Sequence, residues 1–254
     1  MSVEGALLFA RFAYPPNERG SCGPPEHREL LEYTAAGVVD GGLLQLERQF
    51  HGPPPYLSVL AAAAGVPDPF DVRVVEAYWI GNELLDQVDM TAFGRALEDR
   101  VKPRAGRGWG HLAEAIPAGA AAHHSFHVFG VYPWVSLLST SADQPLDILD
   151  RCRIRWAKVV ATQGEYVVVQ VQPLQWDGRR LFLGEPVTET VRQSLDGMRL
   201  VGDLTEGEWV ALHWDWVCDR LDRRQLSNLK EYSNRQLDIV NNRVSRPGPA
   251  VVLG

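Results

Sequence analysis

A chain of 254 residues, 45% hydrophobic and 22% charged, can bury one large or two small cores and has the balance of a folded protein, not a disordered one. Its formal net charge of −7 supplies no basic footprint for a phosphate backbone and argues against nucleic acid as a partner. Three cysteines, Cys22, Cys152 and Cys218, are odd in number and far apart; with no CxxC pair they suggest neither a disulfide framework nor a zinc knuckle, and reduced thiols are expected. The opening MSVEGALLFARF carries no basic leader, and no stretch approaches the ~18 uninterrupted apolar residues of a membrane span. A cytoplasmic protein with no membrane partner is expected.

Up to about residue 140 the apolar residues recur at helical spacing. The segment Phe12-Ala-Tyr14-Pro-Pro-Asn-Glu18, followed by Cys22-Gly-Pro-Pro, is turn-rich: it reads as a functional loop or as the plain end of a first helix. Leu30 and Leu31 mark a helix within Pro25 to Gly37, with Gly37 as its stop. Leu43, Leu44, Leu46 and Phe50 suggest the next, and Tyr56, Leu57, Val59 and Leu60 another that ends at Gly65 and Pro67. Asp71 to Val88 is the longest candidate, and Met90 to Val101 adds one more. Lys102 to Gly108, KPRAGRG, reads as an exposed basic loop, and Ala118 to Leu138 as a helix broken at Pro133.

After Asp150 the period drops to two. Arg151 to Thr162 alternates and is expected as a strand carrying Cys152; Glu165 to Val171 is a β-branched run. Asp177-Gly178 between two short apolar segments predicts a tight type I′ hairpin, which needs positive φ at both central residues. Glu185 to Gln193 supplies another strand, Asp196-Gly197 a further turn, and Glu208 to Trp214 a last strand. Val217 to Val240, with leucines at roughly helical spacing, is expected as a closing helix. The expected class is α+β: a helical domain over residues 1–145, a small β-barrel with a closing helix over 146–241, and a tail over 242–254.

Two short motifs carry a resemblance to a known family. Cys152-Arg-Ile-Arg-Trp-Ala-Lys158-Val159-Val160 is similar to the opening of the HypC/HupF-type NiFe-hydrogenase maturation chaperones, and Gly207-Glu-Trp-Val-Ala-Leu-His213 looks like their second signature. Leu221-Asp222 and the helix beyond match the continuation, so that about 95 residues are covered. The resemblance implies that Cys152 and His213 hold a metal, an iron bearing cyanide and carbon monoxide in transit. It further implies an assembly chaperone, not an enzyme, whose partner is the hydrogenase large subunit or another maturation protein. This sequence departs from the family in placing Cys152 internally, in Trp156-Ala157 where the family has Pro-Gly, and in Asp215-Trp216-Val217 after the histidine. Residue by residue, the alternatives are a cysteine that is a small buried hydrophobe and a histidine that is merely hydrogen-bonded. Cys218, an odd number of residues beyond His213, would point to the other face of a continued strand and is expected in the core.

A second constellation is His123-His124-Ser-Phe-His127. On a helix the first and last are i,i+4 neighbours, a spacing that can seat two imidazoles on one metal, with His111 and Glu114 as more distant candidates. No glutamate completes a zinc helix, so these histidines are not expected to bind a metal jointly. Trp156, Trp209, Trp214 and Trp216 crowd the two motifs, either filling a core or forming an anchor surface. The glycine loops of nucleotide sites and the GxSxG elbow are missing. Beside the chaperone stands one alternative: a metal- or cofactor-dependent enzyme with its site between the helical domain and the barrel.

Overall fold

The computed structural model describes residues 2–105 and 120–244. Helix α1 runs Val3–Glu18 and begins where the Ser2 side chain accepts a hydrogen bond from the Gly5 N–H at 3.1 Å. Phe9, Phe12, Ala13 and Tyr14 make it the central buried helix. Pro15 and Pro16 lie inside it and do not end it, so the expectation of a loop or stop over this segment is corrected. Two proline nitrogens cannot donate, and the carbonyls of Arg11 and Phe12, four residues back, are left to find other partners.

Around α1 pack α2 (His27–Ala36), α3 (Gly41–Glu47), α4 (Pro54–Ala63) and α5 (Val72–Trp79), followed by α6 (Met90–Ala105). Helix α2 stops at Gly37, whose φ of 65° is the left-handed cap that glycine adopts freely. The long helix expected over Asp71 to Val88 is two elements: α5 ends before Gly81, at φ 99°, and the chain resumes as a 3₁₀ turn, Glu83–Gln87, capped by the Asn82 side chain. The expected basic loop begins as the last turn of α6; residues 106–119, with His111 and Glu114, lie outside the described residues. A short helical turn, His124–Phe126, passes into a π-helical turn, His127–Val131. After a second short turn, Trp134–Leu137, comes α7, Asp143–Cys152. Arg151 and Cys152 therefore finish a helix and do not open a strand. Leu146 and Leu149 carry that amphipathic helix, and its charged outer face hid the pattern.

The strands are β1 (Arg155–Gln163), β2 (Tyr166–Val171), β3 (Leu174–Trp176), β4 (Leu181–Leu183), β5 (Val187–Arg192), β6 (Ser194–Leu195), β7 (Met198–Arg199), β8 (Trp209–His213) and β9 (Trp216–Arg220). The main sheet takes five of them in the order β1-β2-β5-β9-β8, with β8 also paired to β1. Four of its seams are antiparallel ladders, whereas β5 meets β9 through one parallel pair, Arg192↔Trp216. Hairpins β3-β4 and β6-β7 stand apart from it. The type I′ geometry falls at Asp196-Gly197, with φ of 51° and 77°, not at Asp177-Gly178. There the Asp177 carboxylate instead accepts from the N–H groups of Arg179 and Arg180, building a wider turn. The closing helix, α8, starts at Arg223 after the extended β9, later than the sequence suggested.

The expectation of a helical domain followed by a separate small β-barrel is corrected to one mixed α+β fold: an N-terminal helical region, a five-stranded sheet that closes on itself where β8 pairs with β1, and a C-terminal helix, with helices and sheet sharing one core. The sheet is not a self-contained unit: its outside is solvated along β2 and β5 but covered by the helices along β8 and β9. Ala157, Val159, Val169, Val210, Leu212 and Val217 fill its inner face. Their neighbours Trp156, Ala211, Trp216 and Cys218 point the other way into the same cluster as Phe9, Phe12, Val75 and Trp79 of the helices. Cys218 is fully buried there, as expected. Among the described residues no helix is long and apolar enough to cross a membrane.

Gly81 joins the helical region to α8: Asn228 donates to its carbonyl at 3.0 Å, and the Tyr232 hydroxyl to that of Asn82 at 3.1 Å. A Cβ on Gly81 would lie 2.2 Å from the Tyr232 ring, at a backbone angle unsuited to L side chains. Gly81→Ala is expected to cost about 1–3 kcal/mol, read as a lowered midpoint in urea denaturation with an unchanged slope.

Candidate metal centre

Period two along β8 decides where His213 points. Val210 and Leu212 face the sheet interior, so Ala211 and His213 face the helices. There the His213 Nδ1 meets the carbonyl of Phe12 at 2.6 Å, the acceptor left open in α1 by Pro16. A carbonyl only accepts, so Nδ1 carries the proton and Nε2 presents a bare lone pair. That Nε2 is buried and has no hydrogen-bond partner among the described residues.

Cys152 reaches the same place from the end of α7. The chain around it is fixed by two buried guanidiniums: Arg153 binds Asp150 at 2.8 Å, and Arg155 binds the Trp214 carbonyl at 2.6 Å and Glu189 at 2.9 Å. The Trp214 N–H donates to the Arg151 carbonyl at 2.7 Å, tying the residue after His213 to the residue before Cys152. Trp214 holds a left-handed φ of 54° in the β8-β9 turn, a conformation costly for a bulky side chain and kept here by those bonds.

The third member comes from the histidine-rich segment. The ligand atoms of His124, Cys152 and His213 all lie within 4.8 Å of one another. His124 Nε2 donates to the Cys152 carbonyl at 2.8 Å, which leaves Nδ1 to accept from the Tyr78 hydroxyl at 3.2 Å. Its neighbours do other work. His123 Nδ1 accepts from the Ser125 N–H at 3.1 Å, capping the turn, and its ring stacks on Tyr232. His127 lies 3.3 Å from the Tyr56 hydroxyl and outside the cluster, although it lines the adjoining cavity. The sequence thus separated two constellations from which the fold takes one histidine and one Cys/His pair. Sequence separations of 28 and 61 residues leave no local signal for that assembly.

The donor set fits a borderline or soft divalent metal: one thiolate and two imidazoles leave a coordination position open, as catalytic zinc sites do. Burial holds His213 down at about 4 and His124 well below its ordinary value, the latter helped by His213 and His127. Both rings are therefore neutral, the ligating form, at pH 7. Burial, and then the nearby Cys22, pushes the Cys152 thiol up to about 12. The expectation of a non-catalytic assembly chaperone is accordingly corrected: a buried His/Cys/His cluster with an open side argues against it.

That open side is a cavity of about 200 Å³ between the helices and the sheet. Among the described residues lining it no Asp, Glu, Lys or Arg occurs; Phe50, Tyr78, Trp79, Tyr132 and Trp214 make it aromatic. Trp156 and Trp216, by contrast, are core, and Trp216 donates its indole N–H to Glu18 at 2.8 Å.

These features define an α+β protein with a buried candidate metal centre at the helix–sheet junction. The chain belongs to the family described as Family of unknown function (DUF6390), whose profile matches residues 1–247. Neither the curated proteins nor the solved structures contain a match.

With both imidazoles neutral above pH 5 and the thiol protonated up to about 12, a divalent cation entering the cluster displaces one proton, from sulfur. Apparent affinity for zinc is expected to rise about tenfold per pH unit between pH 6 and 8. Competition titration against a chelator checks the slope; a flat profile would mean that Cys152 does not ligate.

Proposed function

We propose that this protein is a metal-dependent enzyme whose site lies between the helical region and the five-stranded sheet. The observation that carries the reading is the meeting of His124, Cys152 and His213 within 4.8 Å at the wall of an aromatic cavity. A structural zinc site closes with four protein ligands, whereas three ligands facing a cavity leave a place for water or substrate. When bound, a metal there would act as a Lewis acid on a substrate oxygen or activate a water. The chain itself supplies orientation: the Phe12 carbonyl accepts from His213 Nδ1 and the Cys152 carbonyl from His124 Nε2, as outer partners of metal-bound imidazoles do; a metal at His124 Nδ1 would take the lone pair that accepts from the Tyr78 hydroxyl.

A second reading concerns the metal. The Cys152–His213 pair singled out by the resemblance to hydrogenase maturation proteins supports iron as the ion, bearing cyanide and carbon monoxide, with the hydrogenase large subunit or another maturation protein as partner. His124, from the helical region, is no part of that resemblance and favours the simpler three-ligand site. Infrared bands of bound cyanide and carbon monoxide in protein taken from a hydrogenase-producing cell would decide for iron cargo.

Cobalt(II) is expected to bind at one ion per chain with a thiolate charge-transfer absorption. Cys152→Ser should abolish that band, and His124→Gln and His213→Gln should each weaken binding more than about 100-fold. Wild-type affinity in all three variants, with the fold intact by circular dichroism, would refute the site.

A further inference from the structure

Six aromatic side chains line the cavity beside the cluster: Phe50, Tyr78, Trp79, Tyr132, Trp134 and Trp214. The π-electrons of such rings make their faces negative. Among the described lining residues there is no Lys or Arg to occupy those faces and no Asp or Glu to pair with an ordinary cation. One of the rings already carries a positive charge: Arg19, not itself a lining residue, lays its guanidinium over Trp214 at 4.5 Å. The net charge of −7 adds a field that draws cations toward the protein. Tyr132, 39% exposed, and the exposed Cys22 mark the mouth through which a ligand enters.

We propose that the cavity takes a small quaternary ammonium compound, its methylated head seated among these rings. The chemistry of the wall selects that class of cation. A primary ammonium brings three N–H donors and a guanidinium five; with no carboxylate to receive them, they would give up their hydration without a replacement. The wall exerts that penalty on His127, whose imidazole burial holds down at about 4, so that its N–H-bearing cation is rejected at pH 7. A quaternary ammonium has no N–H to leave unpaired: its methyl groups pack on the rings as an apolar surface while its charge meets their negative faces. About 200 Å³ is below the ~300 Å³ at which drug-sized ligands begin to fit, which limits the compound to the head and a short chain. The assignment goes beyond the metal reading and does not draw on it, since the rings line the cavity whether or not the cluster is loaded.

Choline and its uncharged isostere, with carbon in place of nitrogen, share a shape and differ in charge, whereas ethanolamine keeps the charge and replaces the methyl groups by N–H. In calorimetry on the metal-free full chain at pH 7, choline is expected to bind about tenfold tighter than the isostere, and ethanolamine not to bind. Tyr132→Leu and Trp134→Leu each remove a ring near the mouth and keep apolar bulk. Each should lower choline affinity about fivefold while leaving that of the isostere unchanged; if the Trp134 variant does not fold, the Tyr132 variant decides. No binding of choline, equal affinity for choline and the isostere, equal losses of both in the variants, or ethanolamine binding as tightly as choline would overturn the assignment. A separate cobalt(II) titration of the same chain tests the metal reading. Cobalt binding without a choline preference would sink this inference alone, and a choline preference without cobalt binding would sink the metal reading alone.

Discussion

The contact on which the site depends is the hydrogen bond from His213 Nδ1 to the Phe12 carbonyl. It exists because Pro16 cannot donate to that carbonyl within α1. In an uninterrupted helix the oxygen would be spent on the ladder, and the buried imidazole would face the helix with no partner for its proton. The proline instead exports one acceptor from the helical region to the sheet. In one interaction it joins the two layers, selects the tautomer, and turns Nε2 toward Cys152 and His124. Its charge-neutral character suits a place where burial holds the imidazole pKa at about 4.

The layers that meet at this bond share their apolar surface. Trp216 and Cys218 of β9 pack among the side chains of α1 and α5, and Tyr14 of α1 meets the Trp216 ring edge-on at 5.1 Å. Where the sheet meets the helices it is buried on both faces and needs apolar residues on both, and β8 and β9 carry them, as the burial of Val210, Ala211 and Leu212 in succession demonstrates; β2 and β5 keep an exposed outer face. Such a sheet positions ligands more rigidly than loops would. The ion pairs add anchoring at the seams: Arg155 reaches from β1 to Glu189 of β5, and Arg192 from β5 to Glu18 of α1. The buried Arg155 guanidinium serves to fix geometry more than to add stability, and the part-exposed Arg192 pair adds little.

The histidine-rich segment shows how tertiary placement sorts residues of equal local promise. His123, His124 and His127 are close in sequence, but the turn begins at His123, whose ring is consumed as its cap, and the π-helical turn starts at His127. Only His124 projects toward the sheet. π-turns of this sort recur at functional sites because the extra residue re-aims side chains, and here the break separates His127, on the cavity wall, from the cluster.

The sequence by itself determined the periodic elements: most of the helices before residue 105, β2 in the β-branched run of Val167 to Val171, and the glycine stops at Gly37 and Gly65, because hydrophobic period and turn chemistry are local properties. It also singled out Cys152, His213 and the histidine triplet as candidates. It misplaced Cys152 on a strand, since a short amphipathic helix bearing alternating arginines at its end imitates period two. It put a helix end at the tandem prolines, since what tolerates Pro16 inside α1 is an acceptor used by a residue about 200 positions away. That His124 joins Cys152 and His213, that aromatic side chains from distant segments line one cavity, and that the sheet shares its core with the helices were decided only when the chain folded. Each depends on which faces meet, and residue spacing along a chain carries no record of that.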